Sequence, residues 1–174
     1  MNLTEKEIIY STDERFDLIK ELCHLSKNLY NASLYDVRQY YFGTKSYRTW
    51  QSQVPFFTKT KNPDYYALQS HVASEVIKQV GRQFISFFNN KSNQKKRIPK
   101  YKDKNGYNII TFNNLTISKQ VEFDEVRQIY IYTLCKKSYN LKIQSTKPKV
   151  KMVKFVYDEE NDLIKCFKIY EIEQ

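Results

Sequence analysis

The sequence predicts an α+β chain in which a small antiparallel β-barrel or curled sheet carries an inserted helical lobe. Three observations lead there. Apolar residues recur at steps of three and four through the first half of the chain. After Gly106 the spacing changes to two, the period of a half-buried strand. One strand-like run, residues 3–10, precedes the helical block, so pairing it with the later strands makes the helices an insertion.

The elements follow in order. LTEKEIIY at 3–10 reads as a strand, and STDE places Ser11 and Glu14 at capping-box spacing. Leu18, Leu22, Leu25, Leu29 and Ala32 then predict one face of a helix running to about Tyr41 and stopped by Gly43. Ser46 to Val54 reads as a short helix ended before Pro55. Asn62 and Pro63 give an N-cap and a first helical position. From there Tyr65, Leu68, Val72, Val76, Val80, Phe84 and Phe87 predict one long helix, with Gly81 suggesting close approach by another backbone. NIITFN, QVEF, QIYIYTL, NLKI, KVKMVKFVY and DLIKCFKIY are the expected later strands, the last two joined by a DEEN turn. The expected organisation is a first strand at 1–10, a helical lobe at 11–90, a basic linker at 91–107 and the remaining strands at 108–174.

Hydrophobic residues make up 41% of the 174, enough for one domain or two small lobes with a real core. A net charge of +10 favours polyanionic partners, nucleic acid or an anionic surface, over acidic or neutral ones. The charge is concentrated: between Lys91 and Asn114, Lys91, Lys95, Lys96, Arg97, Lys100, Lys102 and Lys104 face one acid, Asp103. Such a run attracts a phosphate backbone by releasing its counterions, and Tyr101 and Tyr107 within it can stack on bases. A solvated linker held open by its own charges is the plainer alternative. Cys23, Cys135 and Cys166 are too sparse for a zinc ribbon or redox dithiol and suit a reducing compartment. No apolar run approaches membrane-spanning length, and MNLTEKEIIY does not read as a signal peptide. The expected location is therefore cytoplasmic, near the nucleoid. His24 and His71 read as structural, and Asp158, Glu159, Glu160 and Asp162 as a solvated turn, so no metal and no cofactor are expected.

Four segments, in order, resemble the N-terminal half of TnpB, the transposon-encoded RNA-guided nuclease family related to the miniature type V CRISPR effectors. LTEKEIIYSTDERFDLIKELCHLSKNLYNASL is similar to its opening strand and first helix, and YYALQSHVASEVIKQVGRQFISFF to its long helix. KKRIPKYKDKNGYNIITFNN is similar to its basic link, and VKMVKFVYDEENDLIKCFKIYEIE to the strand pair closing its first barrel. The resemblance implies an OB-like barrel, the wedge domain, interrupted by a helical recognition domain. It implies structured guide RNA and double-stranded DNA as partners, with Tyr47, Ser70, Ser74 and Asn113 matching positions that read a DNA motif. Hydrogen-bonding side chains are what base-edge reading needs. The carboxylates and zinc-finger cysteines of the family's RuvC-like nuclease domain have no counterpart here, so no catalysis is expected of these residues. A subunit of a split nuclease completed by a separate RuvC-like chain, or a decayed transposon fragment, are the alternatives.

Overall fold

The computed structural model describes residues 1–90 and 97–172. They form an α+β chain with antiparallel sheets. The order is β1 (Asn2–Tyr10), α1 (Phe16–Thr44), α2 (Trp50–Lys59), α3 (Pro63–Tyr66), α4 (Ser70–Asn89), then β2 (Ile110–Phe112), β3 (Glu122–Asp124), β4 (Ile129–Leu134), β5 (Leu141–Ser145), β6 (Val150–Asp158) and β7 (Leu163–Glu171). Two compact units result: residues 1–23 with 109–174, and residues 24–108. The division falls within α1, between Cys23 and His24, because the first turns of that helix pack on the strands: Phe16 meets Tyr157 edge-on at 6.1 Å and Cys23 Sγ lies 3.9 Å from Phe155 O.

In the first unit, the period-two pattern produces a four-stranded sheet in the order β1-β7-β6-β2 and a three-stranded sheet β3-β4-β5. Ile9 faces Ile164 and Glu7 faces Cys166 across β1 and β7, and Phe155 pairs with Cys166 across β6 and β7. Ile9, Ile164, Cys166, Phe155, Phe112 and Ile143 are sealed from solvent, and burial pushes the Cys166 thiol up to about 12. The expected DEEN hairpin joins β6 and β7, with Asp158 accepting from Asn161 N at 3.2 Å. At one margin the chain passes from sheet to sheet: just after β2, Ile117 bridges to Leu134 of β4.

The expected closed barrel is not formed among the described residues; the sheets stay open between β1 and β5. Side chains stand where ladder bonds would be. Arg15 donates to Lys142 O at 3.0 Å, Lys168 donates to Gln144 O, and Ser145 donates to Glu5 at 2.5 Å. Lys168 is 3% exposed, and its Nζ lies 2.6 Å from Glu7 Oε2, an ionic contact rather than a directed hydrogen bond. Arg15 also forks onto Asp13 at 2.8 and 3.0 Å, which holds that carboxyl below its usual range. An open cavity of about 620 Å³ borders this seam, lined by Glu7, Asp13, Arg15, Lys142 and Gln144 among others.

In the second unit, α1 buries Leu29, Tyr30, Ser33, Leu34 and Val37. This stripe is rotated from the expected one: Leu18 is exposed, and Leu25 and Ala32 are half-buried. Ser26, Lys27 and Ser33 lie on the buried side, so counting apolar residues alone misplaces the face. Gly43 does not stop α1; the helix ends after Thr44, where Lys45 takes a left-handed conformation at φ 60 and its N–H bonds Tyr41 O. α2 runs through Pro55 rather than ending before it, capped by Thr49 and anchored by the buried Phe57. The expected long helix is two: α3 ends at Tyr66, and Gln69 caps α4 by accepting from His71 N and Val72 N.

Gly81 faces a side chain, not a backbone: a Cβ there would sit 3.6 Å from Trp50 Cβ, an ordinary contact. Gly81→Ala should therefore raise the unfolding free energy by about 0.5–1 kcal/mol through helix propensity. Urea denaturation reads it, and a lowered midpoint would show that α2 cannot accommodate the methyl group.

Candidate nucleic-acid interface

The basic segment expected to be a linker is, where described, a strap held along α1. Its backbone is what α1 grips. Arg38 donates to Pro99 O at 3.5 Å, and Lys27 donates to Lys104 O. Asn31 does two things: its Nδ2 donates to Lys102 O at 3.0 Å and its Oδ1 accepts from Lys102 N at 2.9 Å. His24 Nδ1 lies 3.3 Å from Gly106 O, which makes that nitrogen the protonated one. Just beyond, Asn108 donates to Ser26 at 3.1 Å and exchanges amide bonds with Gln79.

The pairing is antiparallel. At 100° per residue, His24, Lys27, Asn31 and Arg38 fall within about 60° of helix circumference. From His24 to Arg38 the helix rises about 21 Å, and the strap follows it from Pro99 before turning, where Gly106 N bonds Asp103 O at 2.9 Å. One polar stripe thus serves the strap carbonyls of Pro99, Lys102, Lys104 and Gly106.

The grip sorts the seven cations by role. Lys91, Lys95 and Lys96 lie outside the described residues. Lys102 is half-buried with its Nζ 4.8 Å from the Tyr30 ring, and desolvation holds it below the usual lysine range. Arg97, Lys100 and Lys104 have exposed side chains. Tyr101, 43% exposed, lies against the Arg38 guanidinium at 4.8 Å, while Tyr107 packs edge-on to His24 at 5.9 Å. Lys27, Asn31 and Arg38, which position the strap, were missed in the sequence. Their signal is the spacing of polar residues along one stripe of an otherwise apolar helix.

The residues expected to read a DNA motif are distributed over both units. Tyr47 precedes α2 instead of lying in it, half-buried with its ring 5.2 Å from Phe88. Ser70 opens α4 exposed, and Ser74, one turn on, donates to Ser70 O at 2.9 Å. Asn113 follows β2 in the other unit, 7% exposed, its Oδ1 accepting from Leu115 N at 3.0 Å in a local turn. His71 is exposed on α4. In the acid turn, Asp158 also bonds Asn161 Nδ2 and Asp162 accepts from Tyr157. Among the described residues no group of three or more His, Cys, Asp or Glu could hold a metal ion, and no helix is long and apolar enough to cross a membrane.

No protein-family model matches the chain, and no curated protein matches it significantly.

Asn31 makes the strap's only pair of bonds to both polar groups of one peptide residue among the described residues. Replacing it (Asn31→Ala) leaves the Lys102 N–H and C=O without these partners, a loss of about 1–3 kcal/mol. Limited trypsin digestion should then cut at Lys100, Lys102 or Lys104 about fivefold or more faster than in the parent protein. Unchanged cutting would mean the strap is held by something else.

Proposed function

We propose that this chain is a nucleic-acid-binding module of the TnpB type, binding structured guide-type RNA and motif-containing duplex DNA. In this reading the two-sheet unit takes the part of the wedge domain, an opened version of an OB-like barrel, and the helical unit that of the recognition domain. These residues supply binding rather than cleavage. The supporting observation is the strap: α1 holds its backbone, while Arg97, Lys100 and Lys104 remain exposed beside Tyr101. A row of cations fixed in place loses less conformational entropy on meeting phosphates than a free linker would. Ser70, His71 and Ser74 at the start of α4 are the polar groups we assign to base-edge reading. Asn113 would contribute by holding its turn rather than by reaching a base.

A second reading, a subunit completed by a separate RuvC-like chain, is favoured by a different observation. Leu3, Pro148, Tyr170 and Ile172 line an open, largely apolar cavity of about 500 Å³, rimmed by Lys147 and Lys149.

The salt dependence of binding tests the main reading. Replacing Arg97, Lys100 and Lys104 together by Gln should lower the slope of log affinity against log salt concentration by about 2–3, near 0.7–0.9 for each phosphate that is no longer neutralised. An unchanged slope, measured by fluorescence anisotropy with a structured RNA and a duplex DNA, would remove the strap from the interface.

A further inference from the structure

One face of α1, the one that anchors the strap, changes character after Asn31. Tyr35, Arg38 and Phe42 follow His24, Lys27 and Asn31 on the same stripe, within about 80° of circumference at 100° per residue. Tyr35 is 59% exposed and Phe42 48% exposed. Arg38 lies between two rings, its guanidinium 5.7 Å from the Phe42 centroid and 4.8 Å from that of Tyr101. Large rings are normally buried in a helix face; here they stand in solvent, interleaved with a cation held by aromatic contacts and by Pro99 O. Arg97 and Lys100 on the strap and Lys45 beyond the helix end add exposed positive charge. Asp103 is the one carboxylate on the described strap, and from His24 to its end α1 places none on this stripe.

We propose that Tyr35, Tyr101 and Phe42, with Arg38 among them, form a base-stacking platform for a single-stranded polynucleotide. This rests on the nucleic-acid-binding reading above and narrows it: the ligand of this face is a strand with unpaired bases, not a duplex. The geometry distinguishes them. A duplex hides the faces of its bases and offers phosphates, for which rings are of no use. An unpaired base offers a π-face, and stacking on aromatic side chains tolerates any sequence. An acidic protein surface would satisfy the cations but leave the three rings without planar partners. From Tyr35 to Phe42 the helix rises about 10 Å, room for about three stacked nucleotides at 3.4 Å each. Arg38 is a positioning residue in this arrangement. Its guanidinium lies over the Tyr101 and Phe42 rings and adds a fixed positive charge to the platform.

The test uses the full chain and four probes: a labelled uridine 12-mer RNA, a thymidine 12-mer DNA, a 12-base-pair duplex, and heparin, which carries charge without bases. The expected result is that Tyr35→Ala combined with Tyr101→Ala weakens binding of at least one single strand by tenfold or more. Affinity for duplex and heparin should stay within twofold, and the salt slope should not change. Comparison of the two strands shows whether a 2′-hydroxyl is needed; weakened binding of either supports the platform. Tyr35→Phe with Tyr101→Phe should restore single-strand binding, since a phenyl ring stacks as well. Tyr35→Ala alone, at a highly exposed position, guards against a folding defect and should retain a threefold or larger weakening. Equal weakening on all four probes, or none on either single strand, would overturn the platform while leaving the broader reading intact. A parent protein that binds none of the nucleic acids would overturn both.

Discussion

The arrangement depends on a polar stripe of one helix satisfying the backbone of a basic segment. Left to itself, a run with this charge would stay open through self-repulsion and hydrate its own carbonyls. α1 offers those carbonyls fixed donors instead: His24, Lys27, Asn31 and Arg38. A net gain of about 0.5–1.5 kcal/mol per neutral hydrogen bond, somewhat more for charged donors, is modest singly. Repeated along the strap, it is enough to oppose the entropy of ordering a short segment. Because the carbonyls are what the helix holds, the side chains of Arg97, Lys100 and Lys104 are left exposed.

The first unit uses the same chemistry for another purpose. Where β1 and β5 do not pair, Arg15 and Lys168 donate to carbonyls of β5, and Asp13, Arg15, Glu7 and Lys168 alternate in sign along the seam. Lys168, almost wholly buried, would be costly without these partners. Several cations are therefore structural: Arg15 and Lys168 in one unit, Lys27 and Arg38 in the other. A net charge of +10 consequently overstates what is available to a polyanion. What matters is the smaller set left exposed, and where the backbone fixes it.

Much of the fold was legible because period and turn chemistry agree. Every expected later strand forms within a few residues, since alternation such as that of Val153, Phe155, Ile164 and Cys166 has one buried-face solution. Local signals failed where long-range partners decide. Pro55 sits inside α2, Gly43 continues α1, and the α1 core face includes serines and a lysine that no hydropathy count selects. The barrel was inferred from strand order, but closure depends on whether β1 and β5 edges meet, and charged side chains occupy that seam. The interface was half legible. Clustered Lys and Arg marked the strap, whereas its anchors lie far away in sequence on α1; Asn31 and Lys102 are 71 positions apart. Exposure of Phe42 was equally invisible, because helical spacing predicts burial first.

Amide hydrogen exchange at Lys102, in the free protein, tests the central claim most directly. Its N–H is bonded to Asn31 Oδ1 at 2.9 Å. A strap docked on α1 predicts exchange at least a hundredfold slower than in a peptide of residues 97–105, a factor that corresponds to about 2.7 kcal/mol of opening free energy. Exchange at the peptide's own rate would contradict the account, for it would make the basic segment a free linker after all.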